Sequence, residues 1–229
     1  MITARQAYYR GYQGVADEIF ATRQKQGWLD TRRAFEINAQ VADIVRADLH
    51  DRGRFYHDGT RAYFFFDAEK QLMAIGPDDT LCPLMLARYG INRAESIYRY
   101  LLEALYVEAF EHGTRTDVFR LAYYNPATFT VYVFNHQNQM YRIAPDAIDL
   151  VYNGTDGILF LSNARAQPFI VDQPDVGWSW FDRVIVSQIN FAADQLTPDE
   201  RRLMSTFWFL SLFFESLMRT KPILAFIGP

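Results

Sequence analysis

Cysteine is almost missing. Cys82 is the one thiol among 229 residues, so no internal disulfide can form, and the chain suits a reducing compartment or is indifferent to redox state. Lysine is scarce too, 3 residues against 20 arginines, and basic residues are outnumbered 23 to 27 for a net charge of −4. That balance gives no global electrostatic drive toward nucleic acid or a membrane surface. A long apolar run is also lacking. The most apolar stretch, Leu203 to Met218, is interrupted by Ser205, Thr206, Ser211, Glu215 and Ser216 and is shorter than the roughly 20 residues that span a bilayer. It reads as a buried helix. Residues 1–10 hold no apolar core, so no secretory leader is expected and a cytoplasmic protein is implied. What remains is 50% hydrophobic, 16% aromatic and 22% charged, a globular composition that excludes a disordered or collagen-like chain. A chain of this length buries roughly 70% of its unfolded surface and needs neither disulfide nor metal to fold.

The first 52 residues read as helical. Phe35, Ile37, Val41, Ile44, Val45 and Leu49 recur near helical spacing from Thr31 to Arg52, and Gly53 suits a helix C-cap. The stretch Arg5 to Gln26 is helix-like but carries Gly11 and Gly14, which weaken a helix. Asp58-Gly59 then separates two aromatic runs, the signature of a β-hairpin, and a third strand is expected at Gln71 to Ile75. Pro77-Asp78-Asp79-Thr80 opens a helix that Gly90 stops, and Asn92 with Glu95 caps another whose apolar face runs from Ile97 to Phe110. Residues 116–161 alternate and turn every 8 to 12 residues, the spacing of an antiparallel meander. Asn163 to Trp178 is loop-like. Helices follow from Trp180 to Ala193 and from Thr197, where Thr197-Pro198-Asp199-Glu200 spells a capping box. The expected fold is α+β: N-terminal helices, a β-hairpin, two helices, a meander, and helices leading into a buried core strand. The expected divisions are 1–52, 53–162, a linker at 163–179, and 180–229.

Few residues carry recognisable chemistry. His50, His57, His112 and His136 are dispersed, no pair has helical ligand spacing, and no metal site is expected. Cys82 reads as a small buried residue rather than a nucleophile. Neither a Gly-x-Ser-x-Gly elbow nor a dinucleotide-binding glycine fingerprint is present. Asp146, Asp149, Asp156, Asp172 and Asp175 fall in loops, where Asp serves turn chemistry. Asn153-Gly154-Thr155 matches a glycosylation acceptor, with no sign of secretion to accompany it. Catalytic residues are therefore not assigned. Nucleic-acid contact is placed at the hairpin, on Arg52, Arg54, Tyr56 and Arg61 beside Tyr63, because Arg grips phosphate and Tyr stacks on bases. Asp48, Asp51 and Asp58 are interleaved with them and weaken the patch, so a plain solvated hairpin face is the alternative reading.

The last residues are more specific. Ile223 to Ile227 is a continuous apolar run after Pro222 and before Gly228, which reads as a strand buried on both faces. In Gly-x-x-x-x-Gly-Lys-Ser/Thr the first glycine follows such a strand, and the loop amides then cradle phosphate. Gly228 is assigned as that first glycine, a nucleotide-binding position in half a motif, and the chain is expected to be part of a longer one.

The sequence resembles phage-, plasmid- and island-type P-loop ATPases related to primase-helicases. Three segments carry the likeness: Arg52-Gly53-Arg54-Phe55-Tyr56 with Tyr63-Phe64-Phe65-Phe66-Asp67; Asn153-Gly154-Thr155-Asp156-Gly157-Ile158-Leu159-Phe160; and Ile189-Asn190-Phe191, Leu196-Thr197-Pro198-Asp199-Glu200 and Pro222 to Gly228. The resemblance implies an accessory region ahead of a helicase-like ATPase of a mobile element, acting in DNA replication or transfer. ATP and Mg would serve the parent protein, DNA would be a partner, and homo-oligomers would assemble through the ATPase domain. The Lys and Ser/Thr of the phosphate loop are not in this sequence, so the region is not expected to hydrolyse ATP, and no paired acidic residues support primase activity. The alternative is a protein-interaction or structural domain that binds through an aromatic meander surface, motivated by 14 Tyr, 19 Phe and 4 Trp.

Overall fold

The computed structural model describes residues 11–24, 31–170, 178–189 and 196–213. In chain order its elements begin with helices α1 (Gln13–Gln24) and α2 (Thr31–Arg52) and strands β1 (Gly53–His57), β2 (Ala62–Phe66) and β3 (Gln71–Ile75). Helices α3 (Leu81–Arg88) and α4 (Ser96–Glu111) come next, followed by short strands β4 (Thr114–Arg115) and β5 (Val118–Phe119). The strands β6 (Ala122–Asn125), β7 (Thr130–Phe134), β8 (Gln139–Ile143), β9 (Ile148–Tyr152) and β10 (Leu159–Phe160) lead to helices α5 (Trp178–Val184) and α6 (Pro198–Phe213). The class is α+β. The described residues form two compact units, divided after Arg120, Val151 and Ala166.

The first unit is organised by the run Ala62-Tyr63-Phe64-Phe65-Phe66, all of it buried. Successive side chains of a strand point to opposite faces. Ala62, Phe64 and Phe66 accordingly join the helices in one core, with Val45 and Leu49 from α2 and Leu101 and Leu105 from α4. Tyr63 and Phe65 enter a second cluster with Leu72 and Leu159. A strand apolar on both faces belongs inside a sheet, and β2 is inside, in the order β3-β2-β1-β4. The β1–β2 hairpin is antiparallel with Tyr56 opposite Tyr63. β4 adds in parallel to the free edge of β1.

Gly53 is not the helix cap that its position after Arg52 predicts; it is the first residue of β1. A Cβ there would lie 2.0 Å from the Phe65 carbonyl oxygen and 2.9 Å from the Phe64 ring, so glycine is required by strand approach rather than by helix termination. Asn92 and Glu95 form their reciprocal box one turn early. The Ala94 amide donates to Asn92 Oδ1 and the Asn92 amide to Glu95 Oε1, while α4 starts at Ser96. Across Phe119, Leu121 and Tyr123, inside the stretch expected to be one meander, the chain changes partner. β5 pairs in parallel with β10, and β6 opens the next sheet.

That next sheet is an antiparallel meander, in the order β6-β7-β8-β9. Phe134 and Met140 are fully buried in it, and the Asn135 carboxamide closes the β7–β8 turn by accepting the amides of Gln137 and Gln139. Phe169 stacks on Tyr141, ring centres 6.0 Å apart. α6 carries the capping box read from its sequence: the Thr197 amide donates to Glu200 Oε2 and the Glu200 amide to Thr197 Oγ1. The buried helix expected from Leu203 onward is overturned over the described part. Leu203, Met204, Phe207 and Leu210 are exposed while Ser205 and Ser211 are buried, and Phe209 packs edge-on against the buried Phe181. Among the described residues no helix is long and apolar enough to cross a membrane.

Candidate functional site

The hairpin does not hold its four sequence-assigned residues equally. Arg52 ends α2 and is drawn inward: Nε donates to Asp48 at 2.6 Å, Nη2 to the Gly11 carbonyl at 2.9 Å, and the guanidinium lies 3.8 Å from the Tyr12 ring centre. Tyr89 also donates to Asp48, at 2.7 Å. Held by two hydrogen bonds and a ring contact in this internal cluster, Arg52 is a fold residue. Arg54 is exposed and tied to Asp67 at 2.8 Å. Tyr56 is half-buried against the cluster of Tyr63 and Phe65. Arg61, at the turn, is exposed.

The turn itself is organised by Asp58. Its carboxylate accepts from the Thr60 and Arg61 amides, the Thr60 hydroxyl and, at 2.6 Å, the Tyr63 hydroxyl. Burial alone would raise its pKa, but these hydrogen bonds outweigh burial and hold the carboxyl well below the usual carboxylate range. Burial, then the bond to Asp58 and its charge, pushes the Tyr63 phenol up to about 12. Asp58 was read as a charge that weakens the patch. It keeps that negative charge beside Arg61, while its lone pairs also hold the turn.

Tertiary structure brings two arginines to the hairpin that sequence proximity did not. β4 pairs Arg115 opposite His57, and the Arg115 guanidinium reaches the turn, 3.8 Å from where a Cβ on Gly59 would lie. Arg120 acts electrostatically on the Tyr63 hydroxyl, as Arg61 does. Arg61, Arg115 and Arg120 are all exposed, and no ion pair involves them among the described residues. The parallel β1–β4 pairing that places them spans more than fifty residues, so no local motif could reveal it.

The remaining sequence candidates are structural. His50 binds the buried Glu108 carboxylate at 2.9 Å, with His112 at 3.4 Å and Arg46 at 3.3 Å from it. His57 instead stacks on Phe110. Burial pushes the Cys82 thiol up to about 12, which makes it inert at neutral pH. Asn153 is buried, and its carboxamide makes two bonds of 2.8 Å to the Phe160 backbone, so the glycosylation triplet is closed in the folded chain. Gly228 and the apolar run before it lie outside the described residues.

The meander offers a different surface. On its edge strand β9, Ile148 and Leu150 are 67% and 48% exposed, and Asp149 between them pairs with Arg142 at 2.9 Å.

No family model matches the chain, and searches of curated proteins and of solved structures give no match.

Proposed function

We propose that the chain is a non-catalytic accessory region that contacts DNA phosphates through its first hairpin, within a helicase-like P-loop ATPase of a mobile element acting in replication or transfer. The arginine trio Arg61, Arg115 and Arg120 around the turn carries the DNA part. Three exposed guanidinium groups that make no ion pair among the described residues, beside the half-buried Tyr56, suit phosphate contact. The ATPase part rests on the resemblance, with Gly228 opening the phosphate loop. In it, ATP and Mg serve the parent protein, assembly runs through the ATPase domain, and the setting is cytoplasmic.

Titration of labelled DNA across salt concentrations tests the hairpin. Neutralising three phosphates gives a log–log slope of about −2 to −3. Replacing Arg61, Arg115 and Arg120 together by Ala should remove most of it, whereas Arg52→Gln should leave it unchanged. No detectable binding at low salt would overturn the reading. Sequencing the gene past codon 229 tests the parent: Gly-Lys-Ser/Thr within about ten residues of Gly228 supports it, and a stop directly after Pro229 refutes it.

The exposed Ile148 and Leu150 on an edge strand favour one second reading, a protein-interaction domain that receives an extended segment along β9. It predicts no DNA binding at any salt concentration.

A further inference from the structure

A groove of about 870 Å³ runs along α4, from the corner after β3 to Tyr106. That volume is in the range of small-molecule sites. Ile75, Pro77 and Leu102 give it an apolar floor. Three independent features converge on it.

The first is uncompensated positive charge at one end. Arg93 and Arg99 both line the groove and are exposed. Arg93 donates to the Pro77 carbonyl at 3.0 Å, and among the described residues neither guanidinium is in an ion pair. Nearby Glu95 is neutralised by Arg23. Its other oxygen accepts the Asn92 amide, so it gives the start of α4 no side-chain cap. The N-terminus of this 16-residue helix lies at the same end, where Ser96 lines the groove and the helix dipole favours an anion.

The second is an unsatisfied donor. Tyr98 lines the groove and is 5% exposed, yet its hydroxyl has no hydrogen-bond partner. Burial, then the neighbouring Cys82 and Asp79, raise its pKa, and Arg93 opposes that rise. A buried, unpaired hydroxyl at the groove wall needs explanation.

The third is an aromatic platform at the other end. His57, Phe110 and Tyr106 form a column of stacked rings, with centres 4.9 Å and 4.7 Å apart and planes tilted by 30° and 29°. Tyr106 ends the column, and its hydroxyl is anchored to the Thr60 carbonyl at 3.4 Å. The ring is 38% exposed and lines the groove. A ring held on one face and open to a cavity is pre-organised to stack a planar partner. Seven residues separate Arg99 from Tyr106, two turns or roughly 10 Å along the helix, so both face the same cavity.

We propose that this groove binds a nucleotide, its phosphate held by Arg93, Arg99 and the start of α4 and its base stacked on Tyr106. The same chemistry serves a free nucleotide or one unit of a single strand. This inference is independent of Gly228 and of the hairpin arginines. Glu103 lies between Arg99 and Tyr106 on the groove wall and works against an anion, which makes its removal informative.

Isothermal titration of the full chain with AMP, adenosine, inorganic phosphate and a 5′-phosphorylated oligo-dT tests the proposal. AMP should bind more tightly than adenosine or phosphate alone. Arg99→Ala and Tyr106→Ala should each weaken it about tenfold, Tyr106→Leu should match Tyr106→Ala while keeping the packing on Phe110, and Glu103→Gln should tighten it. The Arg61, Arg115 and Arg120 triple variant should bind AMP normally, which separates this site from the hairpin. Competition by oligo-dT assigns the strand as the ligand, and its absence assigns the free nucleotide. Millimolar AMP without heat or saturation, AMP no tighter than phosphate, or unchanged affinity in the folded Arg99 and Tyr106 variants would each overturn the proposal.

Discussion

Asn153→Ala removes an amide that joins two backbone atoms of one residue. Asn153 is 1% exposed, donates to the Phe160 carbonyl and accepts the Phe160 amide, each at 2.8 Å. Loss of the acceptor strips a buried N–H of its bond, at about 1–3 kcal/mol, and loss of the donor removes a second bond of about 0.5–1.5 kcal/mol. The expected destabilisation is about 3 kcal/mol, a large share of the 5–15 kcal/mol of a typical domain. It should appear in urea unfolding as a lower midpoint at unchanged slope, and as a melting temperature lower by roughly 6–12 °C. Amide exchange at Phe160 should accelerate together with Leu161, whose amide donates to the Phe119 carbonyl at 2.8 Å. Asn153→Asp sharpens the test. A carboxylate at this site faces the Phe160 carbonyl without a proton to give, so the variant should be worse than Ala at pH 7. Burial raises the folded-state pKa of such a group above its unfolded value. Stability should therefore return as pH falls and the carboxyl regains a donor. An Asn153→Ala variant within about 0.5 kcal/mol of the parent, the size of an ordinary surface change, would refute the reasoning.

Gly53→Ala should cost about 3 kcal/mol or prevent folding, because its Cβ would meet the Phe65 carbonyl oxygen at 2.0 Å and push the two central strands apart. Circular dichroism melts would check this, and a near-neutral result would sink it. Cys82 should be alkylated by iodoacetamide at pH 7.5 at least about 100-fold more slowly than in urea, since its thiol is buried and titrates near 12; comparable rates would show that the site opens. Asp58, with its folded pKa depressed by hydrogen bonds, should contribute stability at neutral pH that is lost as pH falls below about 4, and Asp58→Asn should flatten that acid limb. Tyr63, raised to about 12, acts in the opposite direction: its contribution is complete below about pH 10 and disappears as pH climbs through the folded value.

The cavity at α4 and the joining of Arg115 and Arg120 to the sequence-assigned Arg61 carry no local motif, though their individual residues were in plain view. Arg93, Arg99 and Tyr106 carry no motif, and only the fold of β3 against α4 gives them a common cavity. A signal did exist at Arg99, Leu102 and Tyr106, which fall at helical spacing on one face. Arg52 shows the converse case. It sits next to Arg54 in sequence and was grouped with it, yet the ends of two helices close round it.

The sequence by itself determined what a few neighbouring residues can decide. The Asp58-Gly59 turn, the stop at Gly90 and the Thr197–Glu200 box rest on hydrogen bonds and backbone preferences within about four residues, and the strand at Gln71–Ile75 pairs with its neighbour in sequence, β2. The doubly buried run of β2 belongs here too, because a strand apolar on both sides requires cover on both. Tertiary structure decided which glycine fits against which carbonyl, which arginines remain exposed, and where cavities form. These outcomes depend on contacts between residues far apart along the chain, such as His57 with Arg115 or Arg52 with Gly11. Close packing settles them only when every element is in place, so no local pattern encodes them.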